Sequence, residues 1–405
     1  MNSKDASQTG TEQAKIHLGR LQELAVLFLK LGAISFGGPA AHIALIETEI
    51  VSKREWITRQ QFLDMVGAAN LIPGPTSTET AITVGFVRAG WPGLCVAGAS
   101  FILPAAIITG AFAWAYVRFG SLPQTVSILG GIKPAVLAVI VIAIWRLGKT
   151  AVKDIALGML GTLALAALLL GLNPILILFG GGLLGMFARR ASSLGTEVFL
   201  TAKPLKNWFP PSLRLAGYAS GSIAAGAIAL PPSISQIGLF FLKVGAVLYG
   251  GGYVLLAFLE QGLVQQHAWL TRQQLLDAVA IGQFTPGPVL STATFIGYIL
   301  GGVPGAVVAT IGIFLPSFLY VALLAPVLFQ LRQSVWIAAF LDSVNACAVA
   351  LMGGVTVHLG IDALREWPAW LIAVASLVIL WRWKISPAWI VLGGGVAGLF
   401  LALVR

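Results

Sequence analysis

Long apolar runs alternate with short polar turns along this chain. In its first half the runs cover roughly 24–46, 91–118, 124–147, 154–170 and 173–188. Segment 62–88 is also apolar, but Pro73-Gly74-Pro75 interrupts it, and Gly37-Gly38-Pro39 interrupts 24–46. Neither side of these breaks reaches the ~20 apolar residues that a membrane-spanning helix needs. The pattern predicts that 24–46 and 62–88 are re-entrant hairpins, entering and leaving on one side. The remaining runs are expected to cross.

The second half repeats the first. FLKLGAISFGG at 28–38 returns as FLKVGAVLYGG at 241–251, identical at seven of eleven positions with an offset of 213. WITRQQFLD at 56–64 returns as WLTRQQLLD at 269–277, and Pro73-Gly74-Pro75 as Pro286-Gly287-Pro288. One deletion later, Pro92-Gly93 matches Pro304-Gly305 and Leu103-Pro104 matches Leu315-Pro316. Order, spacing and residue type agree, so the chain is a duplication. Transporters are often built this way, with two repeats meeting around a central site.

Composition fits a bilayer as solvent. Hydrophobic residues make up 58% of the 405, charged residues 10%, and mean hydropathy is +0.90. A soluble domain carries about 25% charged residues. The 47 glycines and 20 prolines suit helices that pack closely and break inside a membrane. The net charge of +10 comes from basic residues clustered between apolar runs. Positive-inside topology accounts for it, without nucleic acid as a partner. The first 20 residues are polar and lack the apolar stretch of a cleaved leader, so the first membrane segment is expected to act as an uncleaved signal.

Charge also sets the expected topology. Arg20, Lys53, Arg54, Arg59, Arg88, Arg146, Lys149, Lys153, Arg189 and Arg190 fall on one side if the first repeat has two hairpins and four spans. In the second repeat the clusters exchange: Lys53 and Arg54 have no counterpart, and Arg382 and Lys384 appear where the first repeat has none. Inverted repeats explain this if segment 213–230 crosses. A parallel arrangement with that segment lying at the interface is the alternative. The expected fold class is an all-α polytopic membrane protein with tandem, inverted repeats and broken, re-entrant helices. Its parts are a polar tail (1–20), an N-terminal repeat (21–189), a basic cytoplasmic linker (190–212), a connecting transmembrane helix (213–232) and a C-terminal repeat (233–405).

Candidate chemistry follows the breaks. Lys30 and Lys243 are repeat mates, each set among apolar residues just before a double glycine. Placing lysine at a membrane centre costs roughly 2.5–3.5 kcal/mol, which suggests a use; snorkelling to the interface is the plainer explanation. A helix restarting after a break offers free N–H groups and a positive dipole end, which bind oxyanions. The candidate anion site is therefore Pro73-Gly74-Pro75 with Thr76, Ser77 and Thr78, and Pro286-Gly287-Pro288 with Ser291 and Thr292. Gly37-Gly38 and Gly250-Gly251 can form similar cradles. Asn70 and Gln283, three residues before their breaks, can bond a ligand or frayed carbonyls.

Acidic residues divide into matched and unmatched. Glu47 matches Glu260, and Asp64 matches Asp277. Arg59 and Arg272 lie five residues upstream of those aspartates, so a local ion pair or an interfacial amphipathic helix is expected. Glu79 has Thr292 as its mate and stands in the first turn after Pro-Gly-Pro, a candidate proton carrier for coupling. Lys133, with Val344 as its approximate mate, also breaks the symmetry. Cys95, Cys347 and the scattered histidines offer no metal or redox motif, and no cofactor is expected. No phosphate loop, carboxylate pair or nucleophile elbow suggests an enzyme.

These residues resemble the chromate ion transporter family. The resemblance lies in FLKLGAISFGGPAAHIALIE, EWITRQQFLDMVGAANLIPGPTSTETAITVGF and their second-half counterparts. It covers nearly all of the chain outside the tail and the linker, and matches the two-domain, long-chain form. It implies halves of opposed orientation and efflux of chromate across a bacterial inner membrane, giving resistance. Sulfate, a similar tetrahedral dianion, stays open as competitor or alternative substrate, as does an anion channel. A homodimer stays open as the assembly.

Overall fold

The computed structural model describes residues 3–193, 231–249, 252, 254–324, 334–383 and 385–404. Gly250, Gly251, segment 213–230 and most of the 190–212 linker, all singled out in the sequence, lie outside the described residues. Among those described there are helices and turns but no strand.

In the first repeat α1 (Ser3–Ile34) ends at the glycine break and α2 (Pro39–Glu47) restarts beyond it, running into a π-helical turn at Thr48–Lys53. α3 (Arg59–Ala69) leads to Pro-Gly-Pro, and α4 (Thr76–Phe119) follows. Then come α5 (Pro123–Ala151), α6 (Ile155–Leu169) and α7 (Pro174–Ser193). The second repeat has α8 (Ile234–Val247), α9 (Leu255–Leu259), a π-helical turn (Glu260–Gln266), α10 (Arg272–Phe284) and α11 (Thr292–Leu324). It closes with α12 (Val335–Ala363), α13 (Trp367–Arg382) and α14 (Pro387–Val404).

The T-R-Q-Q repeats have a structural cause. The Thr58 hydroxyl accepts from the Gln61 N–H while the Gln61 side chain accepts from the Thr58 N–H; Thr271 and Gln274 do the same. Each is a capping box that starts α3 or α10 at a defined residue.

α4 is folded back on itself. Ala89 and Gly90 leave helical geometry, with Gly90 at φ 61°, and Gly301 and Gly302 repeat this in α11, with Gly302 at φ 60°. A Cβ on Gly85 would overlap the Gly93 carbonyl, and one on Gly297 the Gly305 carbonyl. Residues eight apart in a continuous helix stand about 12 Å apart. The short arm, 76–88, therefore returns beside the long arm, 91–119. This matches the sequence expectation of a hairpin over 62–88 and a span from 91.

Among the described residues, four helical segments are long and apolar enough to cross a bilayer: Thr76–Phe119, Pro123–Ala151, Val289–Leu324 and Val335–Ala363. In α4 and α11 the folds divide that length into a short and a long arm. α6, α7, α13 and α14 are apolar but shorter.

The repeats run in opposite directions. The start of α5 shares a cleft with Asp362 and Ala363 at the end of α12, and Lys153, just past the end of α5, pairs at 2.7 Å with Asp342 near the start of α12. Equivalent helices are thus antiparallel. The repeats are also interleaved, since α5 packs on α13 and α14 while α12 packs on α6 and α7. Glycines permit the closest crossings: Gly131 meets Gly394 and Gly398, and Gly185 meets Ser343.

Candidate functional site

Both Pro-Gly-Pro breaks are bonded across the repeats. The Gly74 N–H donates to the Leu248 carbonyl at 2.7 Å, and the Gly287 N–H donates to the Ser35 carbonyl at 2.8 Å. Each Pro-Gly-Pro loop is thus bonded to the end of the other repeat's first helix. Both glycines have positive φ, 142° and 89°. A Cβ on Gly74 would strike the Glu79 carboxyl and Ser317, and one on Gly287 would lie 2.7 Å from Ala105 Cβ. Backbones of opposed repeats meet here because nothing larger than glycine fits.

Around the first-repeat break the interior is polar. Ser35, His42, Ser77, Thr78, Glu79 and Ser317 are all buried to 1% exposure or less. His42 Nδ1 lies 3.4 Å from Ser77 Oγ, and its ring packs edge-on against Phe101. Ser317 Oγ donates to Glu79 Oε1 at 3.4 Å. Glu79 Oε2, Thr78 Oγ1 and Ser35 Oγ have no hydrogen-bond partner among the described residues. Buried polar atoms are nearly always paired, so these three stand out among the buried side chains.

The other sequence candidates are distributed as follows. Thr76 donates to Asn70 Oδ1 at 3.0 Å, closing the frayed end of α3. Ser291 Oγ accepts from Thr109 at 3.2 Å, and Thr292 donates to the Val289 carbonyl at 2.8 Å. Gln283 lines a small internal cavity beside Thr292 and Val289. Gly37 and Gly38 form the turn into α2, at φ 106° and 83°. Lys30 and Lys243 are exposed on the surface of α1 and α8. Lys30 Nζ lies 3.5 Å from Glu49, a carboxylate that also takes Lys53 at 2.9 Å and Arg54. Lys53 and Arg54 hold Glu49 at about 2, below its ordinary 4.5. The repeat mate of Glu49 is Gly262, so Lys243 has no equivalent acid there.

Two sequence expectations are corrected. Arg59 pairs with Glu47 at 3.1 Å, and Arg272 with Glu260 at 2.8 Å, not with the aspartates downstream. The capped helices turn Arg59 and Arg272 back over the preceding π-turn, to Glu47 just before the first turn and Glu260 at the start of the second. The mate of Lys133 is Asn345, because α5 and α12 align end to end.

Lys133 stood out in the sequence for breaking the repeat symmetry, without a partner to give it a role. Among the described residues it is the one fully buried lysine or arginine. Its Nζ lies 3.2 Å from Asp277 Oδ1, and Tyr116 donates to Asp277 Oδ2 at 2.9 Å. Its asymmetry was the available signal; its partner, on the other repeat, was not.

No group of three or more metal-ligating side chains occurs among the described residues. No solved structure matches the chain. A family model described as chromate transporter matches residues 22–186 and 235–399, one match per repeat. The chromate transport protein of Cupriavidus metallidurans is 33% identical, covering 98% of both chains. The probable chromate transport protein of Synechococcus elongatus is 31% identical over 93% of this chain and 95% of its own, and the chromate transport protein of Pseudomonas aeruginosa 29% over 93% and 91%. With both repeats matched and the relatives aligned end to end, this chain belongs to the chromate transporter family, a family of membrane transporters and not of enzymes.

Proposed function

We propose that the protein is a secondary transporter that carries chromate out of the cytoplasm, across a bacterial inner membrane, and so confers chromate resistance. The observation that carries this reading is that each Pro-Gly-Pro break is bonded to the end of the other repeat's first helix, with Ser35 Oγ, Thr78 Oγ1 and Glu79 Oε2 buried without partners on these broken helices. A tetrahedral dianion needs several donors without a bulky cavity. Ser35, Thr78 and the first-turn N–H groups of α2 and α4 supply them. The helix dipoles add positive potential. Relatives named for chromate favour it over sulfate as substrate. The inside-negative potential assists exit by roughly 2.3 kcal/mol per charge per 100 mV.

Glu79 is the proton carrier in this reading. No described cation reaches its carboxyl, so its negative charge would oppose a bound dianion. Anion and proton therefore exclude or accompany one another at one site, which couples them. Lys30 and Lys243, exposed on their helices, act as attracting charges at the entrances and not as ligand contacts.

Everted membrane vesicles test the proposal. Wild type is expected to take up chromate saturably, with sulfate competing weakly. Glu79→Gln is expected to lose the component driven by a pH gradient while keeping chromate counterflow. Lys30→Ala with Lys243→Ala is expected to raise KM a few-fold at unchanged maximal rate. No chromate uptake by wild type overturns the substrate; pH-driven uptake intact in Glu79→Gln overturns the coupling.

A further inference from the structure

A cleft of about 760 Å³ opens on the face where α10 begins and α12 ends, and Lys133 lies at its inner wall. Behind it stands the buried network of Lys133, Asp277 and Tyr116, with side-chain exposures of 10% for Lys133 and 3% for Asp277. Three elements from two repeats are joined: α5 by Lys133, α10 by Asp277 and α4 by Tyr116. The Tyr116 ring packs on buried Phe295, with centroids 5.3 Å apart. Two turns earlier on α4, about 10 Å deeper, Thr109 bonds Ser291 where the second broken helix restarts. The network thus lies between this cleft and the second Pro-Gly-Pro break.

The charges around it are already committed. At the rim Arg272 is engaged by Glu260 at 2.8 Å and Asp362 at 3.4 Å, and Arg365 by Asp362 at 2.6 Å. Lys133, itself buried, pairs with the Asp277 carboxylate. Exchange of that partner for a passing anion keeps the lysine's charge compensated, while the buried Asp277, left with Tyr116 alone, draws the lysine back. On the opposite face the equivalent positions are Asp64 and Asn345, so no lysine stands there.

We propose that Lys133 and Asp277 form an exchangeable lock on the cleft side: closed, Lys133 binds Asp277 and seals the path; open, Lys133 binds a departing tetrahedral oxyanion dianion. When Asp277 recovers the lysine, the anion is displaced into the cleft and the repeats are tied together again. Tyr116 holds Asp277 in place for that return. This rests on the reading of the helix breaks as the transport path.

The test uses full-length protein with Cys95→Ser and Cys347→Ala and one new cysteine, Thr109→Cys, beneath the lock. A membrane-impermeant thiol reagent is applied from the cleft side. Labelling is expected to be slow in this parent and about tenfold faster after Lys133→Gln or Asp277→Asn. The exchanged pair Lys133→Asp with Asp277→Lys is expected to restore slow labelling. Added chromate is expected to speed labelling in the parent but not in Lys133→Gln. Should either charge variant fail to elute as a single species, Tyr116→Phe, which removes one hydrogen bond, is expected to give a smaller acceleration. Rates unchanged in every variant overturn the lock. Acceleration by the variants without any effect of chromate overturns the exchange and leaves a passive tether. Vesicle uptake is measured in parallel, so a failed lock with normal chromate uptake leaves the transport reading standing. A working lock without chromate uptake overturns the substrate alone.

Discussion

At the first-repeat break the buried residues are Ser35, His42, Ser77, Thr78 and Glu79, with Ser317 facing them. At the second-repeat break the equivalent positions hold Leu248, Leu255, Leu290, Ser291 and Thr292, with Ala105 facing them. The backbones are nearly the same: both have a positive-φ glycine between prolines, a cross-repeat hydrogen bond and a folded helix beyond. Duplication preserved what the backbone needs and let the chemistry diverge. Geometry has to be kept twice because each repeat braces the other. A polar interior is under no such constraint, and every buried unpaired group costs stability.

The comparison breaks most visibly at His42. His42→Leu makes the first repeat resemble the second. It removes the partner of Ser77 and is expected to lower chromate uptake by about 10–100-fold, as losing a hydrogen bond near a bound charge does, with the protein still folded. Leu255→His, the reverse change, is expected to leave KM near its normal value while lowering the melting temperature, because the imidazole is buried in a cavity lined mainly by Ile140, Leu256, Leu259, Val279 and Val289. Equal uptake losses from the two would mean that both breaks bind substrate. Next in size is the shared backbone. Gly287→Ala forces a side chain into positive φ and against Ala105 and the Gly32 carbonyl. It is expected to destabilise by about 1–3 kcal/mol, read as thermal unfolding in detergent. Gly74→Ala meets the movable Glu79 and Ser317 side chains instead, and is expected to cost less stability and more transport.

The smallest effect concerns the loop after α2. Glu49 gathers Lys30, Lys53 and Arg54, whereas Gly262 gathers nothing. Its folded pKa, about 2, lies below the ordinary 4.5. The carboxylate therefore contributes stability that is complete above pH 4.5 and is lost as pH falls toward 2. Limited proteolysis of the 47–59 loop is expected to stay slow down to pH 4.5 and then quicken, while the loop at 260–271 shows no such transition from this source. Glu49→Gln is expected to cleave quickly at every pH.

The folding pattern was legible because it is local and repeated. Hydrophobic runs, Pro-Gly-Pro, double glycines and the exchange of basic clusters each announce an element or its direction, and a second copy confirms the reading. Glu79 was legible as an acid with no matching acid. Its surroundings were not, since Ser317 comes from the other repeat. The aspartates were misread for the same reason. Arg59 looked forward along the sequence to Asp64, but helix capping turned it back to Glu47, and Asp277 was claimed by a lysine in the other half.

The sequence by itself determined that this is a duplicated membrane protein with broken helices, opposed halves and a family membership carried by its motifs. Periodicity, chain breaks and charge asymmetry are properties of neighbouring residues, so they survive in one dimension. Only the tertiary structure decided which breaks touch, that α5 and α12 pack against helices of the opposite repeat, and that Lys133 is buried against Asp277 while Lys30 and Lys243 are exposed. Those outcomes depend on which surfaces two interleaved, antiparallel halves bury in each other. A lysine among apolar residues reads the same in sequence whether it faces outward or a carboxylate from the far end of the chain.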